Sequence, residues 1–161
     1  MSWIKSLAFI LFFYLLTIFQ SSFLIHFAWH NTCLNLVLLV LIVLFFKKKR
    51  EINEGFLLSF FAGFFIDIFS SHFFGLVILL FFLIYLLIEK IKKYFLATSF
   101  WSFCIVLGAS LIFYYLVFFL FNIFRPHYFN VFTILYNFLI GILIYFIAKL
   151  VYVFTEQWFS K

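Results

Sequence analysis

The sequence predicts an all-α integral membrane protein of six transmembrane helices, with both termini in the cytoplasm. Three observations predict it. Of 161 residues, 69% are hydrophobic and only 10% charged, too few charges for a water-soluble domain of this size. The apolar residues fall into long runs separated by short polar or basic breaks. Threading those runs back and forth puts ten of the eleven basic residues on one side. Six helices of about 20 residues need roughly 120 residues. The remainder suits short tails and loops, so 1–161 reads as a single polytopic membrane domain with no soluble catalytic part.

The first span runs over about Ile4–Phe27. Met1-Ser2-Trp3-Ile4-Lys5 resembles the basic start of a secretion signal, but no A-x-A cleavage pattern follows, so this run reads as a retained helix. The second span, Cys33–Phe46, is followed by Lys47-Lys48-Lys49-Arg50. The third is Gly55–Phe69 and the fourth Phe74–Ile88, followed by Lys90, Lys92 and Lys93. The fifth is Phe95–Phe124 and the sixth Phe129–Phe154. Spans two to four are short, so they tilt little, thin the bilayer or borrow loop residues.

Lys5, Lys149 and Lys161 share the side of the two clusters, and only Arg125 lies opposite. That split makes the clustered side cytoplasmic. The net charge of +6 then serves anionic lipid headgroups, and nucleic acid is not an expected partner. Trp3, Tyr94, Tyr152 and Trp158 fit an inner aromatic belt, Trp29 and Tyr128 an outer one.

Because lipid is as apolar as Leu, small and polar residues mark the protein-facing sides. Gly55, Ser59, Gly63 and Asp67 recur every fourth residue and share one broad face of span three. Ser71 and Gly75 continue the rhythm into the following turn. Weaker versions are Thr133, Asn137 and Gly141 in span six, Ser102, Cys104 and Gly108 in span five, and Thr17, Gln20 and Ser21 in span one. Plain packing within the chain accounts for such stripes. Span two after Asn35 holds only Leu, Val, Ile and Phe, so it is expected at the periphery, against lipid or a partner's helix.

Asp67 is the one acid placed beyond the inner boundary, about 18 Å along the axis from Gly55. A charged Asp at mid-membrane costs about 3 kcal/mol on insertion scales. Three arrangements would offset that. The carboxylate folds back onto the start of span four near Ser70-Ser71, where free N–H groups and a partial positive charge wait. Alternatively a partner subunit supplies a donor, or Asp67 takes part in proton or cation passage.

Cys33 and Cys104 fall at different depths and read as small packing residues. His26, His30, His72 and His127 all lie near the outer face. His26 and His30, with Cys33, have a metal-like spacing but lack the ligands of a dependable signature, so no metal or other cofactor is expected. There is no H-E-x-x-H, no G-x-S-x-G, no phosphate loop and no intramembrane carboxylate pair, so an enzyme is not expected.

The segment Gly55-x7-Gly63-x3-Asp67-x2-Ser70-x4-Gly75 resembles the signature of the rod-shape-determining protein MreD family. The length, the near-total membrane content and the place of the segment agree along the whole chain. Where that family often has a proline before the final glycine region, this chain has Ser71-His72-Phe73-Phe74. The resemblance implies a non-enzymatic component of the bacterial cell-elongation machinery in the cytoplasmic membrane. Its implied partners are an MreC-like membrane protein and, in the wider complex, an actin-like MreB, RodA and penicillin-binding protein 2. It also implies a six-helix fold shared with the substrate-binding subunits of energy-coupling-factor vitamin transporters. Such a subunit is the alternative function, with Gln20, His72, Asn122 and His127 as a possible outer-side pocket. The A-x3-A docking pattern of those subunits is absent, since Phe12 stands four residues after Ala8.

Overall fold

A computed structural model describes residues 3–24, 34–47, 52–70, 74–94, 99–121 and 131–159. Six α-helices run through them: α1 Trp3–Ile18, α2 Leu36–Lys47, α3 Ile52–Phe69, α4 Leu76–Lys92, α5 Phe100–Phe121 and α6 Val131–Phe159. No strand occurs among the described residues. The end of α1 widens into a π-helical turn, Phe19–Phe23. Two segments, Phe100–Phe121 and Val131–Val151, are long and apolar enough to cross a membrane. Leu7–Phe23 and Leu36–Phe46 are shorter apolar helices.

Helix α2 lies at the centre. Val37, Leu38, Leu39, Leu41, Ile42 and Phe45 are fully buried, and α1, α3, α4, α5 and α6 all pack on α2. This corrects the expectation that this apolar segment, without small residues, is peripheral. Close approach needs only one of two facing surfaces to be small. The small residue is supplied by the neighbour: a Cβ on Gly141 of α6 would sit 3.3 Å from Leu39 and 2.8 Å from Leu107.

Around α2, α1 packs on α3, α3 on α4, α4 on α5 and α5 on α6. Helix α4 turns one stripe inward, Val77, Leu80, Phe81, Ile84, Tyr85 and Ile88, the 3–4 spacing of a single helical face. At the end where α2 and α4 finish, rings fill the core. Phe103 and Tyr145 stack 4.2 Å apart, and Phe46 meets Phe103 edge-on at 5.3 Å. Phe45 lies 4.9 Å from Tyr85.

Candidate functional site

The small-residue stripe of α3 faces α4 along its whole length. The ring of Tyr85 covers Gly55, where an added Cβ would come within 2.3 Å of it. One turn on, the Ser59 hydroxyl donates to the Phe81 carbonyl at 3.3 Å. At Gly63 the two backbones nearly touch, and a Cβ there would lie 2.5 Å from the Ile78 Cα. Each step of four along α3 meets a partner about four residues earlier in α4, as an antiparallel pair requires.

Asp67 ends this seam and is 3% exposed. Its carboxylate accepts from the N–H of Gly75 at 3.0 Å, Val77 at 3.3 Å and Ile78 at 3.4 Å. Charge-assisted bonds of this kind and the positive end of α4 offset the burial of a charge. The first arrangement foreseen from the sequence, a carboxylate folded back onto the next helix start, is the geometry found. Gly75 caps α4 with φ 95, a left-handed conformation suited to glycine, and has no side chain to close the helix start itself. Asp67 does so from the preceding helix. Ser70, half-buried, terminates α3: its N–H and its hydroxyl both donate to the Asp67 carbonyl.

A second helix start lies in the same polar region. Asn35 caps α2 by accepting from the Leu38 N–H at 3.2 Å. The N–H of Asn35 donates to Asn137 Oδ1 of α6 at 2.8 Å. The Val37 N–H donates to Gln20 Oε1, in the π turn, at 2.9 Å. Asn137, fully buried, donates in turn to the Tyr115 hydroxyl at 3.0 Å and to the Thr133 carbonyl at 2.9 Å. Tyr114 of α5 lies beside this cap, its phenol paired with the Asn35 side chain. The open donors of two helices are thus closed by side chains from α1, α3 and α6.

The far end of α2 is held in a similar way. Lys92 of α4, its side chain 8% exposed, donates from Nζ to the Phe45 carbonyl at 2.9 Å. The same ammonium pairs with Glu89 at 2.9 Å.

Of the four residues placed in an outer pocket, Gln20 is bonded to the start of α2, and His72, Asn122 and His127 lie outside the described residues. So do His26, His30 and Cys33. Cys104 is free and half-buried. No trio of metal-binding side chains occurs among the described residues. The sequence reading missed Asn35, Tyr114, Tyr115 and Lys92. Asn35 alone carried a local signal, an Asn directly before an apolar run. No family model, curated protein or solved structure matches this chain.

Proposed function

We propose that this chain is a non-enzymatic, six-span membrane scaffold of the MreD type, acting in the complex that organises lateral peptidoglycan synthesis and cell shape. The observation that carries the reading is the α3–α4 seam. Gly55, Gly63, Asp67 and Gly75, on which the resemblance rests, all have structural work there: close approach, carboxylate clasp or helix cap. Motif residues committed to helix packing fit an assembly platform better than a reaction centre.

Length and surface support a reading of six crossings. Helices α3 and α4, with 18 and 17 residues, span about 27 and 26 Å, close to a hydrocarbon core of about 30 Å. Helix α2, with 12 residues, spans only about 18 Å, but it is wrapped by other helices and has no lipid thickness to match. Leu7, Leu79, Ile112, Phe132 and Leu139 are each more than half exposed, so apolar surface faces outward on α1, α4, α5 and α6. Contiguous apolar surface on several sides fits lipid as the solvent. Basic residues at the ends of α2 and α4 favour cytoplasmic termini.

Depletion of the protein in a rod-shaped bacterium is the test. Rods rounding into spheres, with recovery of an MreC-like protein in mild-detergent purification, is the expected result. Unchanged rods would overturn the reading. A transporter subunit is the second reading, favoured by the polar groups gathered at the end opposite the basic clusters. A small molecule retained in stoichiometric amount by the purified protein would select it.

A further inference from the structure

We infer that the π turn at the end of α1 is a register switch, held in its present form by Gln20 and coupled through it to the central helix. The turn is closed by the Leu24 N–H donating to the Phe19 carbonyl, five residues back instead of four. Such turns are rare, less favourable than the α form, and frequent where helices shift or work. Two local hydroxyls weaken the α register here. Thr17 Oγ1 donates to the Phe13 carbonyl at 2.8 Å and Ser21 Oγ to the Ile18 carbonyl at 3.3 Å. Bonds of this kind compete with the backbone ladder and bend helices.

Gln20 supplies what offsets that cost. Its Oε1 accepts from the Val37 N–H at 2.9 Å, one of the donors that α2 cannot satisfy within itself. In a turn of more than 3.6 residues each residue rotates by less than about 100°, so the direction of position 20 depends on the register. Upstream, α1 is fixed by buried Phe13 and Thr17. Returning the turn to α geometry therefore swings Gln20 away and leaves the Val37 N–H unpaired in a buried cap. The switch has two states: π register with α2 capped by Gln20, and α register with α1 released from the start of α2.

The test uses the full chain in lipid bilayers, with Gln20→Leu, which removes the acceptor, and Gln20→Glu, which keeps it. Backbone chemical shifts of Phe19–Leu24 report the register, and amide exchange at Val37 reports the cap. The expected result for Gln20→Leu is α-type shifts and Val37 exchange faster by about tenfold, the loss of one hydrogen bond. Gln20→Glu should retain both native readings, and α5 amides should stay protected throughout. Persistence of π-type shifts in Gln20→Leu would overturn the inference, as would identical behaviour of the two variants. If Gln20→Leu does not fold, deleting Phe19 imposes the α register directly, and unchanged Val37 protection then overturns it.

Discussion

Asp67 binds three backbone donors that no neutral side chain of its size satisfies. Asn at this position offers one acceptor oxygen and turns an N–H₂ toward donors. Asp67→Asn should lower stability by about 2 kcal/mol and Asp67→Leu by about 3 kcal/mol, the range for unsatisfied buried donors. Unfolding in mild detergent measures both, and equal stability of all three proteins would contradict the clasp. The glycines separate two kinds of cost. A Cβ at Gly63 meets the backbone of Ile78, so Gly63→Ala must push α4 away and should cost about 1–3 kcal/mol. A Cβ at Gly75 meets nothing within 4 Å, yet φ is 95, so Gly75→Ala should cost about 1 kcal/mol through the backbone alone. At this scale much was legible, since Gly55, Ser59, Gly63 and Asp67 stood out by spacing. The bond from Asn137 to Asn35 was not, because nothing local ties residues 102 positions apart.

At the scale of elements, α2 is where the reading of the sequence failed. Small residues mark contact from one side only, and α2 has none. Its neighbours bring the close approach instead, Gly141 among them. A truncation series tests the corrected position. Leu38→Ala should destabilise by about 2 kcal/mol or more, while Leu139→Ala, 65% exposed on α6, should be nearly neutral. Comparable losses at the two sites would mean that α2 is not the core. Lys92 allows a matched comparison within one cluster. Lys92→Met removes the donor to the Phe45 carbonyl and should cost about 1–2 kcal/mol. Lys90→Met and Lys93→Met, at exposed positions, should stay within about 0.5 kcal/mol. The helices themselves were readable, and the expected span three began only three residues inside α3. Their mutual arrangement was not, because helices apolar on every side carry no stripe that sorts their neighbours.

For the whole molecule, the polar network lies at the end of the helices opposite Lys92 and the last turn of α2, and the proposed topology has one aqueous face on each side. Thiol labelling in intact cells checks it. Single cysteines at positions 48–50 and at 161 should be protected from impermeant reagent, and one near 127 should react. Labelling at 48–50 from outside would invert the topology. The proposed scaffold role belongs to this scale too, since no single cluster of side chains carries it.

The bonds that hold both ends of α2 have a consequence for how the chain is made. The Phe45 carbonyl waits for Lys92, 47 residues later in synthesis, and the Asn35 N–H for Asn137, 102 residues later. A nascent chain that has released only its first three helices has neither Lys92 nor Asn137 to offer. The central helix of the finished protein is therefore among the last parts to be secured. Chains stopped before α6 should be more readily degraded than chains lacking only residues beyond 151, which pulse-chase labelling of the two truncations would show.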